Sequence, residues 1–227
     1  MSPDQEVPPL KSHATAEELS RAVDEMAAKV RHQLNRAVEC IGAGDVAAAE
    51  AVIAGDLEID RMEEDIERAC LQLLGRDRHA GADERGVRRI AAIFKVVTDL
   101  ERMGDHAAAV ARTARRMRGE RPLAPFVDIQ RLAALADDMI VGAMAAFAAE
   151  DGEAARVLAG QDDGVDGLYD QVFRELVAYM LDDRTSVRQA THLLFVASGL
   201  ERIADHATNI SEWALYIESG KRVELND

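Results

Sequence analysis

Proline is missing from almost all of this 227-residue sequence. Its five copies stand at Pro3, Pro8, Pro9, Pro122 and Pro125, so the stretches 10–121 and 126–227 hold none. Proline removes a helical hydrogen bond and clashes with the preceding turn. Two proline-free blocks of similar length therefore read as two helical units joined by a hinge at residues 119–125. Aromatic residues are only 4% of the chain, and Val and Ile seldom alternate with polar residues, which argues against sheet. Cysteine is scarce too: Cys40 and Cys70 lack metal-ligand spacing and read as free thiols, buried as small apolar groups in a reducing compartment. Basic residues are outnumbered 27 to 42, leaving a net charge of −15. Such a surface argues against non-specific nucleic-acid binding and against docking on an anionic membrane, and it attracts cations or basic partners. The N-terminus carries Asp4 and Glu6 rather than an apolar core, so it does not read as a signal peptide. The most apolar run, 133–149, is interrupted by Asp137 and Asp138 and falls short of a membrane span. A soluble, cytoplasmic protein without membrane insertion is the expectation.

What is present is helical, and it breaks into three helices per block. Thr15 with Glu18 forms a capping box for the first helix, which should stop at Gly42–Gly44. Asp45 caps a second running to about Arg76, and a loop holding Gly75, Gly81 and Gly86 leads to a third, from about Asp83 to Met117. The fourth spans about Pro125–Ala149. Asp151 caps a fifth ending near Asp182, and Thr185 opens a sixth that ends before Gly220. The expected fold is all-α: two tandem antiparallel three-helix bundles, 14–118 and 126–220, with a disordered tail over 1–13, a linker at 119–125 and a short tail over 221–227.

The two blocks repeat one another. Leu-Glu-Arg-Met-Gly-Asp-His-Ala at 100–107 returns as Leu-Glu-Arg-Ile-Ala-Asp-His-Ala at 200–207, and duplication at a fixed offset signals one structural unit built twice. The apolar seam of the sixth helix runs Leu193, Val196, Leu200, Ile203, Ala207, Ile210, Ala214, Ile217. Its counterpart in the third is Ile93, Val96, Leu100, Met103, Ala107, Val110, Ala114, Met117. That unbroken 3/4 spacing marks core, and Trp213 reads as packing. Arg115, Arg116 and Arg118 read as a solvated terminus that complements the negative end of the third helix, with partner binding as the alternative.

Each copy also carries paired acids. Glu101 with Asp105, and Glu201 with Asp205, stand four residues apart, about 40° around a helix and one turn up. The preceding helices contribute Asp56 with Asp60 and Asp162 with Asp166. Antiparallel neighbours joined by a short loop pair residues whose numbers have a constant sum. By that rule Asp56 faces Asp105 and Asp60 faces Glu101, while Asp162 faces Asp205 and Asp166 faces Glu201. Helix axes about 8–10 Å apart let inward-leaning carboxylates meet over the groove, where four like charges need neutralising. Two agents are open. One is a hard divalent or ferric cation held by oxygen ligands; the other is arginine, Arg102 or Arg202 beside each pair. His106 and His206 adjoin the acids but point about 100° away, so they read as satisfied surface or core histidines. The stretch 162–167, with two glycines, also reads as a frayed helix start.

The doubled Leu-Glu-Arg-x-x-Asp-His-Ala, the upstream Asp-x-x-x-Asp pairs, and Arg88 and Arg188, each thirteen residues before the Glu, resemble the PhoU family over about Thr15–Val223. The sequence departs from the family pattern at Gly86-Val87 before Arg88, at Ala109 and at Ala204. The resemblance implies two three-helix bundles, a homodimer, and Glu/Asp-x-x-x-Asp pairs that hold metal, whether iron, zinc, manganese or magnesium. Carried over by position, the ligands would be Asp56, Asp60, Glu101, Asp105, Asp162, Asp166, Glu201 and Asp205. It also implies a negative regulator of the phosphate-starvation response, a non-enzymatic adaptor bridging a phosphate ABC transporter's ATPase subunit and a sensor histidine kinase. The sequence holds no P-loop, Ser/His/Asp arrangement or dinucleotide fingerprint. One rival, a ferritin-like di-iron oxidase, calls for Glu-x-x-His, whereas here each His follows its Glu by five; another, a metal-storage or phosphate-binding module, shares the acidic site.

Overall fold

The computed structural model describes residues 15–77, 84–118 and 120–225, and among these there is no strand. The expected tail at 1–13 and most of the loop between the second and third helices lie outside the described residues. Seven α-helices follow one another: α1 (Ala16–Ala43), α2 (Val46–Asp77), α3 (Glu84–Met117), α4 (Phe126–Ala149), α5 (Gly152–Ala159), α6 (Asp162–Asp182) and α7 (Val187–Ser219).

Helix ends follow the local chemistry. The Glu18 amide donates to Thr15 Oγ1 at 3.2 Å while Glu18 Oε2 accepts from the Thr15 amide at 2.8 Å, a reciprocal cap. Gly44 closes α1 at φ 66°, a left-handed position that glycine fills without steric cost. Asp45 Oδ1 accepts from the Ala48 amide at 2.9 Å, as an N-cap should. Gly75 and Gly86, expected in a loop, lie inside α2 and α3. Glycine costs a helix about 1 kcal/mol, too little to end helices of 32 and 34 residues.

The second unit departs from the expected three helices. Its middle helix is two, α5 and α6, broken at Gly160–Gln161. Leu158 packs into the surface of α4 at Gly142, where a Cβ would stand 2.6 Å from Leu158 Cδ1. Anchored there, the eight-residue α5 follows α4 and α7, and the weak helix former Gly160 allows the chain to turn into α6. Before α7 comes a 3₁₀ turn, Arg184–Ser186, capped by Asp183 Oδ1, which accepts from the Thr185 amide at 2.8 Å.

The helices form two layers. α2, α3, α7 and α6 lie side by side, with α1 beneath α2 and α3 and α4 beneath α7 and α6. α3 and α7 run antiparallel and form the seam between the units. Every predicted seam residue, Ile93 to Met117 and Leu193 to Ile217, is buried, and the two units share one continuous core. A bidentate ion pair, Arg31 Nε and Nη2 to Asp137 at 2.7 and 2.8 Å, joins α1 to α4.

α4 is longer than the apolar run expected from the sequence. Phe126, Ile129 and Leu132 extend it to 24 residues, apolar enough by length and composition to cross a membrane. Its apolar face is instead buried on α1 and α7, and Asp137 has its partner on α1. The expected C-terminal tail is docked as far as Leu225, whose amide donates to the buried Glu212 Oε1 at 2.8 Å. Arg222 lies over Trp213, 5.3 Å from the ring centroid.

Candidate metal centres

The first acidic groove lies between α2 and α3. Asp56, Asp60, Glu101 and Asp105 are all half-buried there. Burial, reinforced by Asp105 and Asp60, pushes the Asp56 carboxyl up to about 6. Arg112 Nη2, 3.6 Å from Asp56 Oδ2, works the other way. Glu101 is raised by burial and then by Asp105, with Arg102 opposing and Glu63 and Asp60 adding to the rise. Such mutual influence requires the acids to share one groove, as the antiparallel register predicted. Gly104 lets the helices approach: a Cβ there would stand 2.9 Å from Ile59 Cδ1 and 3.5 Å from Asp56 Oδ1.

The second groove lies between α6 and α7 and repeats the arrangement. Asp162 is the first residue of α6 and is 9% exposed, with Oδ1 buried and lacking a hydrogen-bond partner. The frayed-start reading thus fails: Asp162 is tucked in, held up to about 6 by burial, Asp166, Asp205 and Asp163. Glu201 is raised by burial, then by Asp205 and Asp166, and Asp205 by burial, then by Asp166. Asp166 is the exposed member. A cleft of about 570 Å³ opens beside Glu201 and Asp205, lined also by His106, Tyr169, Ser198, Arg202, His206 and Asn209.

All eight candidate residues therefore gather four to a groove. Arginine contributes only partial neutralisation: exposed Arg102 lies 3.5 Å from Glu101 and 3.7 Å from Asp105, separations that are worth little in water. As the side chains stand, no three His, Cys, Asp or Glu groups among the described residues converge closely enough to hold a cation. The donor chemistry nonetheless fits a hard one. Both sets offer oxygen ligands only, Asp56, Glu101, Asp162, Glu201 and Asp205 are raised by burial and then by neighbouring carboxylates, and Asp162 carries an orphaned buried oxygen. A bound divalent or ferric ion would offset much of the charge in either groove and, in the second, satisfy the Asp162 oxygen.

The sequence left two neighbours unnoticed. Glu63, one turn beyond Asp60, joins the first groove within hydrogen-bonding reach of Thr98, its carboxyl raised by burial. Its counterpart in the α6 groove is Tyr169, so the two grooves are not equivalent. Arg112 reaches back to Asp56 from two turns down α3. The histidines are occupied elsewhere: His206 Nδ1 lies 2.9 Å from Asp99 Oδ1, and the His106 ring is 5.8 Å from that of His206. Burial, with His206 and Arg202 nearby, lowers the His106 pKa.

These features define a class of all-α proteins in which a helical bundle is duplicated, with an acidic groove in each copy. The PhoU domain profile matches the chain twice, over 23–114 and 129–214, one match to each unit. The chain belongs to the PhoU family. It is 38% identical to the phosphate-specific transport system accessory protein PhoU homolog of Aquifex aeolicus, over 95% of this chain and 96% of that one. The homolog of the same name in Clostridium acetobutylicum is 34% identical, over 93% and 95%. The crystal structure of PhoU from Pseudomonas aeruginosa superimposes with a TM-score of 0.83 at 33% identity, covering 90% of this chain and 97% of that chain. That of the phosphate transport system regulatory protein PhoU from Streptococcus pneumoniae gives 0.83 at 28%, covering 91% and 96%.

Proposed function

We propose that this PhoU-family protein is a cytoplasmic, non-enzymatic adaptor of phosphate transport and a negative regulator of the phosphate-starvation response. In this reading it bridges the ATPase subunit of a high-affinity phosphate ABC transporter and a sensor histidine kinase, works as a homodimer, and holds metal ions in its two acidic grooves. Full-length similarity to phosphate-transport accessory proteins supports the accessory, regulatory role.

The observation that carries the metal-binding part is the matched placement of four carboxylates in each of two grooves, with Asp56 and Asp162 both held up to about 6. Crowded, half-buried acids cost stability unless a cation offsets them, and Arg102 and Arg112 offset only part of the first set. The test is affinity purification of the chain from phosphate-replete and phosphate-starved cells. Retrieval of the transporter ATPase or the kinase supports the adaptor, and failure to retrieve either removes it. Elemental analysis of the same preparations reads the metal content independently.

A further inference from the structure

The arginines at the end of α3 meet the start of α7, and together they form a surface that the acidic grooves do not use. Across 115–121 and 187–195 there are five arginines, Arg115, Arg116, Arg118, Arg121 and Arg188, and one carboxylate, Glu120. In a chain of net charge −15 this is a local inversion of sign. The antiparallel seam brings the two segments together: Arg188 pairs with Glu120, and Gln189 Nε2 donates to the Arg121 carbonyl at 2.8 Å. His192 feels both Arg188 and Arg116, which places it between the helices.

Two turns along α7 from Arg188 stands Phe195. It is 66% exposed, more than any other aromatic side chain among the described residues. Residues seven apart on a helix return to within about 20°, and four apart to within about 40°. Arg188, His192 and Phe195 therefore share the outward face of α7. On the α6 side stands a second exposed ring. Tyr169 and Ser198 line one cleft, so Phe173, one turn along α6, stands beside residues 194–195 of α7. Phe173 is 44% exposed, its ring 6.5 Å from that of Tyr169. The other three phenylalanines are buried or packed on the core. Exposed aromatic rings bordered by arginine are the composition of protein-binding hot spots.

We infer that the α6–α7 face around Phe195, bordered by Arg116 and Arg188, is a docking surface for an acidic protein segment that carries an apolar anchor. Charge complementarity selects the partner: the arginines steer a carboxylate-rich segment, and Phe195 with Phe173 takes its apolar side chain. An anionic bilayer is disfavoured because it would face the rest of this net-negative molecule over a wide area, whereas a short acidic segment meets the arginines alone. The inference rests on the adaptor reading only in supposing that the occupant is a protein.

The test uses the full chain and a fluorescein-labelled synthetic helix with a glutamate-rich polar face and a Leu/Phe stripe. Fluorescence anisotropy should show binding that weakens with added salt. Phe195→Ala should lower affinity at least tenfold, as should Arg116→Glu with Arg188→Glu, while Val157→Ala on exposed α5 leaves it unchanged. Circular dichroism confirms that each variant is folded. An acidic helix that does not bind, or that binds equally to all variants, overturns the inference. So does Phe195-dependent binding of phosphatidylglycerol vesicles, or sedimentation showing a dimer that Phe195→Asp dissociates. Failure of the chain to retrieve the ATPase or kinase, with peptide binding intact, would remove the adaptor reading and leave this surface standing.

Discussion

His206 Nδ1 on α7 lies 2.9 Å from Asp99 Oδ1 on α3, and Asn209 Nδ2 donates to the same oxygen at 3.2 Å. This clamp ties the two units together, yet it exists once in a duplicated protein. The position equivalent to Asp99 is Gly199, and the one equivalent to Asn209 is Ala109. On that side Gly199 instead lies close to Val110, where a Cβ would stand 3.5 Å from Val110 Cγ2. The copies have thus diverged into one polar and one close-packed contact across their shared seam. Asp99→Ala leaves His206 and Asn209 without their partner in a half-buried site. The expected loss is about 1–3 kcal/mol in urea unfolding. In a double-mutant cycle with His206→Ala the effects should be strongly non-additive, whereas simple additivity would mean that the clamp contributes nothing.

The crowded acids set a pH dependence for the metal-free protein. Asp56 and Asp162 are held near 6, above the value of about 4 of an unfolded chain. Between those values the folded state binds more protons than the unfolded state, so stability falls as pH rises from about 4 to about 6 and then levels off. Allowing for solvent screening, the loss is of order 1 kcal/mol per groove. Asp56→Asn with Asp162→Asn should therefore stabilise the apo protein at pH 7 and leave it nearly unchanged at pH 4.5. Urea midpoints at the two pH values, each compared with wild type, check the sign.

The same crowding predicts the effect of removing ligands. Asp105→Asn with Asp205→Asn takes one carboxylate from each groove without changing side-chain size. Bound transition metal should fall by most of its amount while the far-ultraviolet circular dichroism stays helical. The metal-free variant should unfold no earlier than metal-free wild type, because a like charge has been removed from each groove. Unchanged metal content by elemental analysis would exclude these grooves as the binding sites.

Much of this arrangement was legible because helices write their packing into the spacing of residues. Every residue of the seams from Ile93 and from Leu193 is a core position of α3 or α7, and the constant-sum rule gives the register that puts Asp56 beside Asp105. The break at Gly160 was not legible. Ala155, Leu158, Asp162 and Val165 keep the helical 3/4 spacing straight through it, and the cause lies on another helix, at Gly142. Glu63 was missed because its role comes from Thr98 and Glu101 across the groove rather than from its own neighbours. The Asp99–His206 clamp joins residues 107 positions apart. The docked C-terminal segment reads as polar tail, since its anchor is a backbone amide, that of Leu225.

Glu150 offers a separation of backbone strain from ion pairing. It ends α4 at φ 52°, ψ 40°, a left-handed conformation in which glycine is the unstrained residue. Its carboxylate bridges to α3, accepting from Arg85 Nε at 2.7 Å and Arg89 Nη1 at 2.6 Å, and its side chain is only 12% exposed. Glutamate is held there because these two contacts tie the end of α4 to the start of α3. Glu150→Ala loses both bridges and keeps the strained φ, so it should cost about 1–3 kcal/mol. Glu150→Gly loses the same bridges but relieves the backbone, and should be more stable than the alanine variant by about 1 kcal/mol. Chemical denaturation of the three proteins measures both quantities: the alanine–glycine gap reads the strain, and the difference between alanine and wild type reads the ion pairs. A glycine variant no more stable than alanine would show that the turn is not strained.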